Sequence, residues 1–212
     1  MKTAIDRVLD AQHVKRWSLV ATTAESNVAS HSFNVAAIAM AIYQQMDGNT
    51  QFGLCAICYH AMLHDVAEVF TGDVPTPTKT AMKQKGVNFN ELFKDQESTD
   101  PVPEIAALIK LADLIDNWNF INQHGAGVRA RIAADEVRGR LDAALDAASS
   151  DLQTAARLVL YQVENRTSEP AKKRNNAAEQ IKKTVQVDEQ RWVQRSFYLS
   201  GEPCDIARGS RP

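Results

Sequence analysis

The sequence predicts an all-α fold, and three observations carry that expectation. Apolar residues recur at helical spacing, as in Ile105, Leu108, Leu111, Leu114 and Ile115, which is the stripe a helix buries along one face. No run of alternating β-branched residues bounded by hairpin turns is found. Turn residues punctuate the periodic segments, as in "DGN" at 47–49 and "HGAG" at 124–127.

Read in order, the periodicity predicts helices over 3–12, 30–46, 51–64, 103–123, 130–148 and 151–165, with a last one near 171–194. Ser30 is the expected cap of the second helix and Asp151 that of the sixth, both short polar side chains that accept from free N–H groups. The stretch "FTGDVPTPTKTAMKQKGVNFNELFKDQESTDPVPE" mixes turn residues with a short amphipathic piece and is expected to form a partly mobile flap. "AKKRNNAAEQIKK" reads as a solvated basic helix face. A chain of 212 residues fits one domain, placed at 1–195, with a polar tail at 196–212 that is loose or packs on a partner subunit.

Composition excludes several classes. Lys plus Arg number 24 against 26 Asp plus Glu, for a net charge of −2, so no global field draws the chain to nucleic acid. The apolar run at 35–43 is too short to cross a bilayer, and "MKTAIDRVLDAQH" is polar where a signal peptide is apolar. The expectation is a cytoplasmic protein with neither a nucleic-acid nor a membrane partner. Three cysteines do not make a secreted disulfide framework. Cys55 and Cys58, with His60 and His64 following, superficially resemble a zinc knuckle. The segment reads as a continuous helix, however, so both cysteines are expected as small core residues.

A carboxylate or imidazole inside an apolar helix needs compensation. His31 in "SNVASHSFNVA", His64 and Asp65 in "MLHDVAEVFTGDVPTP" and Asp113 in "LIKLADLIDNW" are four such groups on three expected helices. Two imidazoles with two carboxylates suit a divalent first-row ion (Co, Mn, Zn, Fe or Ni) and are too rich in nitrogen for calcium.

With these residues in place, the order H…HD…D resembles the HD-domain metal-dependent phosphohydrolases, and within them the bacterial HD-type 5'-deoxynucleotidases. The resemblance rests on Arg16-Trp17 with Leu19 beyond, "NVASHS", "HDVAEVFTGDVPTP" and "KLAD". It implies a single HD-domain helical bundle with His31, His64, Asp65 and Asp113 as metal ligands. It further implies Glu68 handling protons, Asp73 orienting the attacking water or the substrate, Arg16 and Lys79 meeting phosphate, and Trp17 packing on the sugar. The substrate implied is a small deoxynucleotide, and the assembly a homodimer or a set of dimers. Ser30 stands before His31 where relatives commonly carry glutamate. The interval from Asp65 to Asp113 is short for the bacterial enzymes and closer to phage-encoded dNTP triphosphohydrolases, including dATP-specific ones, in which Leu19 and Pro77 would lie beside the base.

The expected activity is that of a 5'-deoxynucleotidase, giving deoxynucleoside and phosphate from a monophosphate, with a dNTP triphosphohydrolase as the alternative; both share attack at the α-phosphorus, so the motif itself does not separate them. Positive charge beyond the α-phosphate would, and Lys79, Lys83 and Lys85 are the expected sources. Hydrolysis of a guanosine alarmone and a non-catalytic nucleotide sensor are weaker alternatives. The "RW" and "TGDVPTP" segments fit deoxynucleotides better, and a sensor has no use for Glu68 and Asp73.

Overall fold

Each helix expected within residues 4–46, 48, 50–87 and 101–166, the residues described by the computed structural model, is present. In chain order these are α1 (Ala4–Asp10), running into a 3-10 turn (Ala11–His13), α2 (Val28–Gln45), α3 (Gln51–Leu63), α4 (Glu68–Thr71), α5 (Thr76–Gln84), α6 (Pro103–His124), α7 (Gly127–Ala147) and α8 (Ser150–Asn165). Among the described residues there is no strand, only the isolated bridges Lys15 to Asn27 and Thr22 to Gly125. The described residues up to Glu164 belong to one compact unit. No helix among them is long and apolar enough to cross a membrane. The helix expected near 171–194, the basic run, the tail with its subunit contact, the boundary at 195 and part of the flap lie outside the described residues.

Capping chemistry fixes the helix starts and corrects two expectations. Ser30 does not cap α2. Asn27 does, in an extended conformation, with its side chain accepting from the Ser30 amide at 2.8 Å while the Ser30 hydroxyl accepts from the Asn27 amide at 3.3 Å. This reciprocal pair starts the helix before Ser30 and leaves His31 on its first turns. Asp151 likewise lies inside the first turn of α8, where its charge complements the helix dipole. Thr50 caps α3 by accepting from Gly53 at 3.0 Å.

The core forms where α2 packs on α3 and α6, and α6 on α7. Ala36 and Ala39 let α2 approach its neighbours closely, while Ile42, Ile57, Leu114, Ile115 and Leu141 fill the interior. The buried face of α3 is taken by Ile57 and Ala61. Cys55 is therefore exposed and Cys58 half-buried, contrary to the expectation that both are core residues.

The segment between the 3-10 turn and α2 has no regular structure, yet its backbone is tied at both ends. Val28 donates to Val14 at 3.0 Å and Arg16 to Ser26 at 3.0 Å, while Thr23 donates to His124 at 2.8 Å and Ala126 to Ala21 at 2.9 Å. Arg16 and Trp17 are thereby held between the start of α2 and the end of α6.

Candidate metal centre and substrate cleft

The first ligand candidate is set by burial. His31 is 1% exposed, and its Nδ1 lies 2.7 Å from Asp116 Oδ2, whose other oxygen accepts from Asn34 Nδ2 at 3.0 Å. On α3's C-terminal cap, His64 Nδ1 lies 2.7 Å from the Ala61 carbonyl. A carbonyl only accepts, so His64 Nδ1 carries the proton and Nε2 of the neutral ring presents its lone pair. His31 is oriented in the same sense by a carboxylate.

Both Nε2 atoms are buried without a hydrogen-bond partner. They face the same carboxylate, with His31 Nε2 and His64 Nε2 each 3.4 Å from Asp65 Oδ2, and His31 Nε2 is also 3.4 Å from Asp113 Oδ1. Ligand atoms of His31, His64 and Asp65 lie within 4.8 Å of one another. Two orphaned imidazole nitrogens aimed at two carboxylates have the donor set and spacing a divalent ion requires. The residues present therefore fit the metal that the sequence implies.

Electrostatics bind the cluster further. Burial and Arg16 oppose protonation of His31, but the facing carboxylates of Asp113, Asp116 and Asp65 outweigh both and raise its pKa to about 10. Burial opposes a charged Asp65 too, yet the two imidazoles and Arg16 hold it well below the usual carboxylate range. Glu68, 4% exposed, is pushed up to about 7 by burial and by the Asp65 charge, with Arg16 and Lys79 pulling the other way. A carboxyl group poised near neutrality beside a metal centre is suited to taking and giving a proton.

Of the expected ligands and substrate contacts, Arg16, Trp17, Leu19, His64, Asp65, Glu68, Asp73, Pro77, Lys79 and Asp113 line one cleft of about 590 Å³; His31 is buried and does not line it. Arg16 is more engaged than its expected role as a phosphate fork required. Its two terminal nitrogens donate to Asp65 Oδ2 at 2.7 Å and to Asn117 Oδ1 at 2.9 Å. Each terminal nitrogen keeps a second N–H for an anion. Lys79 Nζ lies 3.1 Å from Glu68 Oε1. Asp73 Oδ2 accepts from the Trp17 backbone amide at 3.1 Å, and Trp17 has a φ of 61°, a conformation non-glycine residues rarely adopt. Its ring stacks on Phe120 at 6.0 Å.

Sequence reasoning missed Asp116, Asn34, Asn117, Phe120 and Arg140. Asp116 and Asn117 had a signal in the second acid and the amide of "DLIDN", one helical turn beyond Asp113. Arg140 had none. Lys83 and Lys85, expected to add charge to the cleft, lie at the C-terminal end of α5 and do not line it.

Comparison with known proteins identifies the family. Residues 5–100 match the model of the 5'-deoxynucleotidase YfbR-like family. The chain is 35% identical over 131 residues to a dATP triphosphohydrolase of Salmonella phage PMBT28, covering 57% of this chain and 66% of that protein. It is 30% identical over 152 residues to a dATP triphosphohydrolase of Cyanophage S-2L, covering 68% of this chain and 86% of that one. Among solved structures, the Cyanophage S-2L HD phosphohydrolase DatZ, bound to dA and one catalytic Zn2+ ion, superposes with a TM-score of 0.63 at 24% identity over 79% of this chain and 99% of its own. At that identity the likeness shows the fold, and the fold is shared across nearly the whole of the smaller protein. The chain belongs to the YfbR-like family of HD-domain metal-dependent phosphohydrolases.

Proposed function

We propose that this chain hydrolyses deoxynucleotides at the α-phosphorus, with a triphosphate as the favoured substrate and a 5'-monophosphate as the alternative. The observation that carries the reading is the pair of buried, unpartnered Nε2 atoms of His31 and His64 facing Asp65 and Asp113 beside Glu68. The preference for a triphosphate is supported by the dATP triphosphohydrolases among the relatives.

His31, His64, Asp65 and Asp113 hold the metal in this proposal. A divalent ion supplies charge against the phosphoryl oxygens and acidifies water. Glu68, with its pKa near neutrality, takes the proton of the attacking water and returns one to the departing 5'-oxygen. The water oxygen bonds to the α-phosphorus and the bond to the 5'-oxygen breaks, giving deoxynucleoside and, from a triphosphate, tripolyphosphate. Arg16 and Lys79 neutralise the phosphate by their charge. Trp17, held by Asp73 and backed by Phe120, forms the wall against the deoxyribose. Leu19 and Pro77 flank the base, where an apolar contact excludes bulk without reading hydrogen bonds.

The test incubates the full chain with Co, Mn or Zn and each deoxynucleoside mono- and triphosphate, with products resolved by ion-pair chromatography. Tripolyphosphate from a triphosphate is the expected product. Phosphate from several monophosphates, with triphosphates untouched, would establish the alternative. No hydrolysis with any metal would sink both.

A further inference from the structure

One face of α6 orders the cleft along its length. Phe120 backs Trp17, Asn117 bonds Arg16, Asp113 faces His31 and Lys110 follows one turn beyond. These four positions span about 15 Å at the rise of an α-helix. The short turn into α7 makes the two helices antiparallel neighbours, so residues equally far from the turn share a level. Near the turn, Arg129 reaches the Leu19 carbonyl at 3.5 Å. Farther along α7, at the level of Lys110, stands Arg140.

Arg16, Lys79, Lys110 and Arg140 are the cations among the described residues that line the cleft. Three are matched to carboxylates: Arg16 to Asp65 at 2.7 Å, Lys79 to Glu68 at 3.1 Å and Lys110 to Asp113 at 2.8 Å. Arg140 meets no carboxylate among the described residues. Its guanidinium touches only the Thr76 hydroxyl, at 3.5 Å. Contacts link Asp65 to Arg16, Arg16 to Glu68 and Glu68 to Lys79, and Thr76, which meets Arg140, opens α5 one turn before Lys79. A cation with most of its donors free, held one step past the groups that meet the α-phosphate, is placed for the next anionic groups along a chain of phosphates.

We infer that Arg140 binds the terminal phosphates of a deoxynucleoside triphosphate and sets the preference for triphosphate over monophosphate. The inference rests on the phosphohydrolase reading above. Glu136, one turn earlier on α7 and also lining the cleft, makes no ion pair with Arg140 and opposes the same anion. Its neutralisation should therefore act in the opposite direction.

The test uses the full chain and the variants Arg140→Ala, Arg140→Lys and Glu136→Gln. Inorganic tripolyphosphate and inorganic phosphate are titrated calorimetrically, and KM and kcat are measured for a deoxynucleoside triphosphate and the matching monophosphate. Arg140→Ala is expected to weaken tripolyphosphate binding about tenfold, the loss of one charge-assisted contact, and to raise KM for the triphosphate about tenfold more than for the monophosphate. Arg140→Lys should recover part of the loss and Glu136→Gln should tighten tripolyphosphate. Equal effects on both substrates, or tripolyphosphate binding indifferent to Arg140, would overturn the inference while leaving the hydrolytic reading intact. Arg140-dependent tripolyphosphate binding without hydrolysis of any deoxynucleotide would do the reverse.

Discussion

His31 Nδ1 lies 2.7 Å from Asp116 Oδ2 in the interior between α2 and α6, and both side chains are almost fully buried. The contact fixes the ring so that Nε2 faces Asp65 and Asp113. Asp116 touches neither the cleft nor the other metal ligands' donor atoms, yet it determines which nitrogen of His31 is available. Asp116→Asn preserves the shape and removes the charge that favours the Nδ1 proton. It is expected to weaken metal affinity by about 10- to 100-fold, the usual cost of losing such an outer partner. Competition with a chromogenic chelator checks this, and unchanged affinity would show that packing alone orients His31.

In the proposed mechanism, Glu68 separates catalysis from metal retention. Its side chain accepts from Lys79 and lies 3.7 Å from Arg16, but it is not one of the groups facing the imidazole nitrogens. Glu68→Gln is expected to lower kcat by about 100-fold or more, in the range for a lost general acid-base. Metal stoichiometry and helical circular dichroism should be unchanged. A variant that loses its metal instead would mean that Glu68 helps hold the ion.

The strained Trp17 is expected to depend on Asp73. The Asp73 carboxylate is the acceptor for the Trp17 amide, and the positive φ at Trp17 costs of order 1 kcal/mol that neighbouring contacts must offset. Asp73→Ala should release the ring from its place against Phe120 and raise KM by about tenfold, the effect of one lost substrate-wall contact. Steady-state kinetics decide between this and the water-orienting role implied by the sequence, which would lower kcat at constant KM.

Much of this site is legible in the sequence, for physical reasons particular to each residue. His64-Asp65 and Asp113 stand out because unpaired charge in an apolar stripe demands a partner. The same rule finds His31. What pattern reasoning could not reach was contact across helices. The level of Arg140 beside Lys110 follows from how α6 and α7 pair after Gly125, and Phe120 behind Trp17 follows from a loop tied down by scattered backbone bonds. Helix α2 shows the same limit at short range: Ser30 has the right chemistry for a cap, but the extended backbone of Asn27 takes that place and makes Ser30 its partner. Cys55 was misplaced because a helix offers one buried stripe and Ile57 with Ala61 occupy it.

Protonation and metal binding compete at the Nε2 atoms of His31 and His64, whose pKa values are both raised, and this gives a pH dependence with a definite sign. His31 has its pKa raised to about 10 and Glu68 to about 7, so both take up protons on folding. Stability from His31 is fully present below its unfolded pKa of about 6.5 and is lost as pH rises through the folded value. For Glu68 the loss runs from about 4.5 up through about 7. Asp65 and Asp113 have lowered values, so their contribution is present above the usual carboxylate range and lost in acid. The metal-free chain is therefore expected to be most stable at mildly acidic pH and to lose stability toward alkaline pH. A metal at His31 Nε2 requires the proton to leave, so each proton displaced raises apparent affinity about tenfold per pH unit. The increase in melting temperature on adding Co or Mn should accordingly grow from about pH 6 to about pH 8.5, measured by calorimetry with and without metal. His31→Gln should remove most of that growth, and because His31 helps hold Asp65 and Asp113 low it should also weaken the acid limb.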